Sequence, residues 1–413
     1  MNTAILHPKV QQFIANNLKS NITKLILKGS PFDLISIQEL ANQIIAKQKS
    51  EQKLPTWFSA KNIYYPPKLS IEQTSSEITA DYKSKFISGN AIIDITGGFG
   101  VDCCYFSKQF KKVIHCEINE DLSTIVKHNY QQLNIKNIQT VCDDGITFLK
   151  NTDTTFDCIY IDPSRRNEVK GKVFLLKDCL PNVPENIDFL FTKTAQILLK
   201  NSPILDISSV ISELNFVKEV HIIALQNEVK EVLFLLEKNY KEEIQIKTIN
   251  IRKEDFQRFD FKLKETVTSN YSAPLSYLYE PNAAILKSGA FHQVSKQLNV
   301  FKVHQHSHLY TSNEIIDFPG RVFKVENVIP YHKKKIKNFL SDDQANITIR
   351  NFPKTVNQIR KETKIKDGGN SYLFFTTLKN NKLVVICCKK TGWRAEQKNI
   401  ILLRLRPQKR SPK

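Results

Sequence analysis

The sequence lacks the features that mark secreted, zinc-binding and membrane-spanning proteins. Its eight cysteines include no C-x-x-C pair, and most fall in segments with the apolar pattern of strands or helices. We therefore expect small core residues in a reducing compartment, with no disulfide and no metal site. The sequence has no run of about eighteen apolar residues, and residues 1–26 contain no uninterrupted apolar stretch like that of a signal peptide. These absences predict a cytoplasmic protein without a membrane span.

Acidic residues are also in short supply. The chain has 41 Asp and Glu against 60 Lys and Arg, a formal net charge of +19 and a pI near 9.4. Such a balance favours a polyanionic partner, because each Lys or Arg placed on a phosphate releases counterions. Part of the excess can instead be solvated surface, since the chain is rich in Lys, Asn and Ile. The basic residues cluster late in the chain, which favours nucleic acid.

One segment carries the most specific signal. An apolar strand over residues 91–96 runs into the glycine-rich turn 96–100, and a second strand over 112–117 ends on Glu117. Glycines let a ligand approach the backbone, and the N-terminus of the following helix favours negative charge. An acid about twenty residues further on can hold ribose hydroxyls. This combination predicts a binding site for a nucleoside cofactor.

Two classes of cofactor fit a turn of this kind. The dinucleotide fingerprint G-x-G-x-x-G needs a third glycine, and this chain has Cys103 at that position. The D-x-x-x-G-x-G turn of class I S-adenosylmethionine (SAM) methyltransferases is instead satisfied by Asp94, Gly98 and Gly100. An acidic pair follows the third strand at 143–144, and an apolar strand over 156–162 ends on Asp-Pro. Four elements in this order favour SAM.

The predicted cofactor-binding residues are the acids and turn residues at these strand ends: Asp94, Thr96, Gly97, Gly98, Gly100, Glu117, Asp143, Asp144 and Asp162. We expect the ribose to bind Glu117 and the adenine amine to lie near Asp144. The methionine end of the cofactor is expected near Asp94 and Gly98.

The pattern of the elements predicts an α/β fold. Strands and helices alternate from residue 90 to about 250, which predicts a mostly parallel sheet with helices on both faces. Two apolar runs, 220–225 and 232–236, are too close together for a helical crossover, so we expect a terminal antiparallel hairpin. Such a sheet resembles the Rossmann-like sheet of class I methyltransferases. The predicted divisions are N-terminal helices over 1–80, a methyltransferase domain over 81–255, C-terminal α+β domains over 256–320 and 321–393, and a basic tail over 394–413.

Six motifs along the chain are distinctive. They are Asp94-Ile95-Thr96-Gly97-Gly98-Phe99-Gly100, Asp162-Pro163-Ser164-Arg165-Arg166, Glu280-Pro281-Asn282-Ala283, Ser307-His308-Leu309-Tyr310-Thr311-Ser312, Arg350-Asn351-Phe352-Pro353 and Lys366-Asp367-Gly368-Gly369. With these motifs nearly the whole chain resembles a family of bacterial class I SAM methyltransferases that carry a ferredoxin-like segment and a THUMP-like domain. The resemblance implies that 256–320 is the ferredoxin-like segment and 321–393 the THUMP-like domain. It also implies that these two parts grip structured RNA, such as tRNA or rRNA.

The strand that ends on Asp162-Pro163 resembles motif IV of nucleic-acid methyltransferases, where methyl donor and acceptor meet. We predict Asp162 and Pro163 as the catalytic residues, because the carboxylate and nearby carbonyls can accept hydrogen bonds from an exocyclic amine and aim its lone pair. Many amino-methylating enzymes continue with a second proline and an aromatic residue that stacks on the base. This chain has Ser164 and Arg165 there, so stacking comes from another aromatic residue or the acceptor is not an amine.

The predicted substrate-binding residues are basic: Arg165, Arg166, Lys333 and Arg350. The first two can hold phosphate or form ion pairs that fix their loop, and the lysine run that begins at Lys333 can contact RNA or form a solvated helix face. The candidates for stacking on the base are Phe58, Tyr64 and Tyr65. Alternation over 304–308 predicts three imidazoles on one strand face, with no metal expected because no acid or cysteine lies near.

The leading hypothesis is a SAM-dependent methyltransferase that acts on a base nitrogen, an exocyclic amine, in structured RNA. Two alternatives stay open: a non-catalytic RNA-binding protein on a SAM fold, and a methyltransferase that acts on protein or a small molecule. The intact Asp-Pro loop favours an enzyme, and the basic C-terminal half favours RNA. Methylation of pyrimidine C5, which needs a cysteine nucleophile, is disfavoured because residues 200–203 contain no thiol.

Overall fold

The computed structural model describes residues 1–165, 175–340 and 343–391, apart from the side chain of Arg165. The described residues form two compact units, one of residues 1–220 with 231–244 and the other of residues 221–230 with 245–391. The first unit begins with a short 3-10 helix, Thr3–Leu6, and six α-helices: α1 Pro8–Asn16, α2 Ile22–Lys28, α3 Ile37–Lys53, α4 Pro55–Ser59, α5 Lys68–Gln73 and α6 Glu77–Ser84.

Side chains at the starts of these helices explain where they begin. Ser36 and Glu39 form a capping box at the start of α3, each side chain bonding the backbone N–H of the other. Ser76 accepts a hydrogen bond from the N–H of Thr79 and so starts α6. Leu40 and Ile44 lie on the buried face of α3, as expected for apolar residues one turn apart.

A nine-stranded mixed sheet follows, with strands in the order β11-β10-β8-β9-β7-β4-β1-β2-β3. The strands of this sheet are β1 Gly89–Asp94, β2 Phe110–Cys116, β3 Ile138–Val141, β4 Cys158–Ile161, β7 Gln196–Asn201, β8 Val217–Leu225, β9 Glu228–Glu237, β10 Gln245–Ile251 and β11 Phe256–Lys262. A separate two-stranded sheet consists of β5 Ser164–Arg165 and β6 Cys179–Leu180. The connecting helices are α7 Val101–Phe106, α8 Glu120–Gln132, α9 Gly145–Lys150, α10 Val183–Lys193 and α11 Ile207–Glu213, with a 3-10 turn at Leu176–Asp178.

The predicted mostly parallel sheet with an antiparallel hairpin is confirmed. Strands β1 to β4 and β7 pair in parallel, and β9 turns back to pair antiparallel with β7. The central strands are buried on both faces, which explains their continuous apolar sequence. The antiparallel pair β10-β11 extends the sheet and was not predicted from the sequence. Because β1, β2, β3, β4 and β7 run parallel, their carboxyl ends lie at one edge of the sheet.

The second unit contains a seven-stranded sheet in the order β13-β14-β12-β15-β18-β17-β16. Its strands are β12 Tyr277–Pro281, β13 Phe301–Lys302, β14 Tyr310–Ser312, β15 Gly320–Pro330, β16 Asn346–Arg350, β17 Ser371–Thr377 and β18 Leu383–Lys390. Its helices are α12 Ala283–Ser288, α13 Phe291–Gln297, α14 Lys333–Phe339 and α15 Val356–Thr363. Neighbouring residues of β17 enter different apolar clusters, Phe374 one and Phe375 the other, so both faces of this sheet are covered.

One sequence prediction in this unit is wrong. Residues 304–308 form a turn between β13 and β14 rather than a strand face that carries three imidazoles. The Nδ1 atom of His304 accepts a hydrogen bond from the backbone N–H of His306, and His308 has a φ of +52°. A tight turn with alternating histidines mimics the period of a strand. Among the described residues, no helix is long and apolar enough to cross a membrane.

Candidate functional site

The turn after β1 is tied together by one carboxylate and one hydroxyl. Asp94 Oδ1 accepts hydrogen bonds from the backbone N–H and the Oγ1 of Thr96, both at 2.9 Å. Thr96 Oγ1 in turn accepts the backbone N–H of Asp162 at 2.8 Å. Asp94 is buried, and burial raises its pKa to about 7 although the Thr96 hydrogen bonds lower it. The ends of β1 and β4 are therefore held in a fixed relation.

Two glycines of the turn differ in the space around them. Gly100 has a φ of +75°, and a Cβ there would lie 2.1 Å from the hydroxyl of Tyr130, so only glycine fits against α8. Gly98 has a φ of +59°, and a Cβ there would meet only the Thr96 carbonyl oxygen, at 3.7 Å. The backbone at Gly98 thus borders open space that a ligand can enter. Gly97 lies beside it, half-buried.

Glu117 follows β2 and holds the glycine-rich turn. Its Oε2 accepts the N–H of Gly98 at 2.7 Å, and its Oε1 accepts the N–H of Asn119 at 2.8 Å. A carboxylate oxygen has two lone pairs, so each oxygen can still accept a hydroxyl. The next residue, Ile118, is 71% exposed. Such an acceptor can bind the ribose of a nucleoside, and the exposed apolar side chain beside it can pack against the aromatic base. The sequence analysis missed Ile118, although its place after the strand-end acid was a usable signal.

The acidic pair after β3 is partly used within the chain. Asp144 Oδ1 accepts the N–H and the Oγ1 of Thr147, which caps α9. Asp143 Oδ1 accepts the N–H of Asp144 at 2.8 Å. Since β3 pairs with β2, this acidic pair lies next to the strand end that carries Glu117. Its contact with an adenine amine stays a prediction.

Asp162 follows β4 at the same edge of the sheet. Its Oδ2 accepts a hydrogen bond from the ammonium of Lys200, and within the described parts of the chain its Oδ1 accepts none. The Asp162 side chain is 36% exposed. Burial raises the pKa of this carboxyl, although the Lys200 ammonium lowers it. Asp162 therefore presents one oxygen that is free to accept a hydrogen bond.

Lys200, at the end of β7, belongs to a buried network of charges. Its Nζ lies 3.2 Å from Ser75 Oγ. Ser75 also donates to Asp102 Oδ2 at 2.8 Å and accepts from Lys83 Nζ at 2.7 Å. Lys83 Nζ is in addition 2.8 Å from both Asp102 Oδ1 and Glu231 Oε2. Through Lys200 and Asp162 Oδ2, the network connects the Asp162 carboxylate at the site edge to the segment that leads into α6.

The sequence analysis used Lys200 only to note that no thiol was present. A lysine that directly follows the buried residues Ile197 to Leu199 was a signal for a paired cation, because lysine is almost never fully buried alone. The next residue, Asn201, was also missed. Its amide is buried, and neither its oxygen nor its nitrogen has a hydrogen-bond partner among the residues described.

The three aromatic candidates for base stacking differ in burial. Tyr64 and Tyr65 are buried, and the Tyr65 hydroxyl donates to the carbonyl of Trp57 at 2.9 Å. These two rings are therefore not available to a base, so the stacking role expected of Tyr64 and Tyr65 is wrong, whereas that of Phe58 stays a prediction. Phe58 is half-buried.

The motif IV segment continues into a short antiparallel pairing. Ser164 and Arg165 form β5 and pair with Leu180 and Cys179 of β6. This pairing anchors the start of the loop after Pro163. Arg166 and the side chain of Arg165 lie outside the described residues, so their contacts with phosphate stay predictions.

The predicted RNA contacts in the second unit fall into two classes. Arg350 donates to Glu280 Oε1 through Nε at 3.1 Å and Nη2 at 2.7 Å, so part of its guanidinium is engaged. Lys333 is exposed at the start of α14, and within the described chain it forms no ion pair. A cavity of about 560 Å³ is lined by Ile349, Asn351, Phe352, Pro353, Thr377 and Leu383.

Comparison with known proteins adds the family. Residues 43–219 match the model Conserved hypothetical protein 95, residues 277–319 a ferredoxin-like domain, and residues 320–390 a THUMP domain-like model. A provisionally assigned methyltransferase of Porphyromonas gingivalis W83, known from its crystal structure, is 31% identical with a TM-score of 0.85. That similarity covers 94% of this chain and 99% of the other. The comparison with curated proteins found no match.

Two weaker likenesses each cover 39% of the chain. A provisionally assigned methyltransferase of Streptococcus mutans in complex with SAH is 16% identical over 39% of this chain and 96% of its own, with a TM-score of 0.29. The M. capricolum protein TrmK, also with S-adenosyl-homocysteine, is 17% identical over 39% of this chain and 68% of its own, with a TM-score of 0.30. Likenesses of this strength say nothing about what this chain binds.

Proposed function

Because the chain belongs to a family of methyltransferases that carry ferredoxin-like and THUMP-like domains, we propose that it transfers a methyl group from SAM to a base nitrogen in structured RNA. One arrangement carries this proposal. Glu117, the open backbone at Gly98 and the free Oδ1 of Asp162 lie at the carboxyl ends of neighbouring strands. Ligands of open α/β sheets bind at this edge.

The residues present fit the cofactor. Glu117 can accept the ribose hydroxyls while it keeps its bonds to the turn, and Ile118 offers an apolar surface to the adenine ring. The space beside Gly98 leaves room for the chain of the methionine end. Asp143 and Asp144 remain the proposed partners of the adenine amine. When bound, SAM supplies an electrophilic methyl group on its sulfonium.

The role of Asp162 and Pro163 is to place the acceptor nitrogen. Methyl transfer is an in-line displacement, so most of the catalytic effect comes from orientation. The Oδ1 of Asp162 accepts one hydrogen of an exocyclic amine, and we assign the other to the carbonyl of Pro163, the next residue in the chain. The lone pair of the nitrogen then points away from both acceptors and towards the methyl carbon. Asp162 Oδ1 can also take the proton that the methylated amine sheds.

RNA as the substrate class is supported by charge and by the family. The chain carries a formal net charge of +19, and α14 presents four exposed lysines: Lys333, Lys334, Lys335 and Lys337. We assign Lys333 and its neighbours to phosphate contacts, which supply affinity without reading sequence. Arg350 can add a contact through the part of its guanidinium that Glu280 leaves free. Arg165 of β5 and Arg166, which lies outside the described residues, remain proposed phosphate contacts.

A binding experiment tests the cofactor. Calorimetry on Glu117→Ala should give a dissociation constant for SAM at least about ten-fold weaker than that of the intact protein, since a charge-assisted bond contributes about 1.5–3 kcal/mol. Glu120→Ala is a matched control, because Glu120 is an exposed acid in the first turn of α8. Unchanged affinity in Glu117→Ala, or binding of NAD in preference to SAM, would contradict the assignment.

A labelling experiment tests the substrate. RNA from cells that lack the gene, incubated with the protein and SAM carrying a labelled methyl group, should acquire label. Mass spectrometry of the digested nucleosides should then find the methyl group on a base nitrogen. Binding of SAM without any labelling of RNA would favour a non-catalytic RNA-binding protein or a methyltransferase of proteins or small molecules.

A further inference from the structure

The pairing of Asp162 with Lys200 separates the two oxygens of the carboxylate. Oδ2 accepts from the ammonium, while Oδ1, at the edge of the sheet, accepts no hydrogen bond from the described residues. The Lys200 side chain is only 10% exposed, so the ammonium cannot turn out to water. The orientation of the Asp162 carboxylate is therefore set by a cation that is itself fixed.

The groups around Lys200 explain why it is fixed and charged. Ser75 has one donor and two acceptor positions, and all three are used, by Asp102, Lys83 and Lys200. Burial disfavours the ammonium, but the carboxylates of Asp162, Glu231 and Asp102 outweigh burial and raise the pKa of Lys200. The surroundings of Lys200 thus favour its charged form.

We propose that Lys200 is the positioning residue of the methyl-transfer site: it holds Asp162 ionised and turns Oδ1 towards the acceptor nitrogen. This inference rests on the proposed function and extends it to a residue outside the motif. Four further groups face this pair from the packed elements, and their charges act with it: Lys83 of α6, Asp102 of α7, Tyr160 of β4 and Glu231 of β9.

The chemical step shows what Lys200 has to maintain. The lone pair of the acceptor nitrogen forms the bond to the methyl carbon as the carbon–sulfur bond breaks, and the electron pair of that bond remains on sulfur. The nitrogen then loses a proton to Asp162 Oδ1. A protonated Asp162 would present an O–H in place of an acceptor, so it could neither aim the amine nor take the proton. Without a neighbouring cation, the burial of Asp162 favours this inactive form.

The first test removes the charge and follows Asp162 directly. In protein labelled with ¹³C at the aspartate carboxyls, the Asp162 signal is assigned by its loss in Asp162→Asn and is titrated by NMR without cofactor. In Lys200→Gln the midpoint should rise by at least about one pH unit, because one ionic partner at contact distance shifts a carboxyl by 1–3 units. Lys200→Arg should leave it near that of the intact protein. An unchanged midpoint in Lys200→Gln would overturn the proposal.

The second test measures methyl transfer to RNA from cells that lack the gene. In Lys200→Gln we expect kcat at pH 7 to fall at least about ten-fold and the acid limb of its pH profile to move upward with the NMR midpoint. The KM for SAM should stay within a few-fold. Lys200→Arg should recover most of the activity, and Lys112→Met, at an exposed lysine of β2, should match the intact protein.

The outcomes separate the two proposals. An intact protein that labels RNA, together with a Lys200→Gln variant of unchanged kcat and pH profile, overturns the role of Lys200 and leaves the proposed function standing. A shifted NMR midpoint with no labelling of RNA by the intact protein overturns the proposed function instead. If circular dichroism shows that Lys200→Gln does not fold, Lys200→Arg is compared with Lys200→Met in the same titration, and equal midpoints in these two variants overturn the proposal.

Discussion

Each of the two units contains a carboxylate that is paired with cationic side chains, and the two pairs differ in one respect. Glu280, at β12, is 4% exposed, and both of its oxygens are taken: Arg350 binds Oε1 and Arg321 binds Oε2. Asp162 is 36% exposed and pairs through one oxygen with Lys200. The first carboxylate is saturated by its partners, whereas the second keeps an oxygen for a ligand.

This difference indicates which pair is structural and which belongs to a site. Two arginines, one on each oxygen of the Glu280 carboxylate, fix β12, β15 and β16 relative to one another within the second unit. A lysine is a point charge that secures one oxygen and leaves the other unaffected. Folding therefore accounts for the contact between Glu280 and Arg350, while a further contact of Arg350 with RNA stays a proposal.

The largest expected effect is the loss of turnover when Asp162, which pairs with Lys200 through one oxygen, is replaced. Asp162→Ala should lower methyl transfer to RNA by at least about 100-fold, because it removes the acceptor that orients the nitrogen and takes its proton. The affinity for SAM, measured by calorimetry, should stay within a few-fold, since other strand ends hold the cofactor. Retained turnover in Asp162→Ala would mean that another group orients the nitrogen that accepts the methyl group. The open oxygen of Asp162 would then not mark a site.

Substitution of Glu280, whose two oxygens are both bound by arginines, should change the stability of the protein rather than its turnover. Glu280→Ala leaves two arginines without their shared partner, and we expect the free energy of unfolding to fall by about 3 kcal/mol. Urea denaturation followed by circular dichroism measures this change. Glu314→Ala, at an exposed glutamate of the same unit, is the control and should change little. A stable Glu280→Ala variant that loses only RNA affinity would make the arginine pair part of the RNA surface.

Whether the sequence could predict a site residue depends on how far along the chain its partners lie. The glycine-rich turn, Glu117 and the Asp-Pro after β4 are local features, in which a strand end and its neighbours in the chain carry the pattern. The link from Lys200 to Ser75 joins residues 125 positions apart, and the link from Lys83 to Glu231 joins residues 148 apart. Such pairs depend on the order of strands in the sheet, and no short pattern encodes them.

The same reasoning explains the predictions that failed. Tyr64 and Tyr65 lie in a proline-rich stretch that reads as exposed, yet Tyr65 is held by Gln43, 22 residues away, and is buried. The histidines of 304–308 alternate like a strand, but the positive φ at His308 turns the chain. Local period and composition are insufficient where a distant element or one unusual backbone angle determines the outcome.

A third carboxylate extends the comparison to a case without a cation. Asp94 is buried, is bonded by Thr96 and Cys103, and forms no ion pair with the described residues, and burial raises its pKa to about 7 from an ordinary 3.8. A carboxyl with a raised folded-state pKa stabilises the fold most below pH 3.8, where it is protonated in both states. That stability is lost as the pH rises towards 7.

Asp94→Asn should remove this pH dependence. For the intact protein without cofactor, the contribution of Asp94 to the free energy of unfolding should fall between pH 4 and 7 by up to about 1.4 kcal/mol per pH unit. Denaturation at several pH values measures the difference between the two proteins, which should grow with pH in favour of Asp94→Asn and then level off above pH 7. A difference that is constant across this range would mean that Asp94 ionises as in the unfolded chain.

The smallest expected effect concerns Asn201, next to Lys200. Its buried amide has no partner in the described chain, and a buried polar group without a partner costs about 1–3 kcal/mol. Asn201→Leu, which is similar in shape, should therefore raise the free energy of unfolding by about 1 kcal/mol. Asn137→Leu is the matched control: the Asn137 amide donates to the carbonyls of Ser107 and Phe110, so its loss should destabilise the protein.

The activity of Asn201→Leu then decides what the unpaired amide is for. If the amide serves the bound RNA, the more stable variant should have a higher KM for RNA and an unchanged affinity for SAM, because an amide offers a donor and an acceptor to the edge of a base. A variant that is more stable and equally active would show that the cost of Asn201 is not linked to substrate binding. In that case Asp162 and Lys200 would be the two polar side chains of this strand edge on which methyl transfer depends.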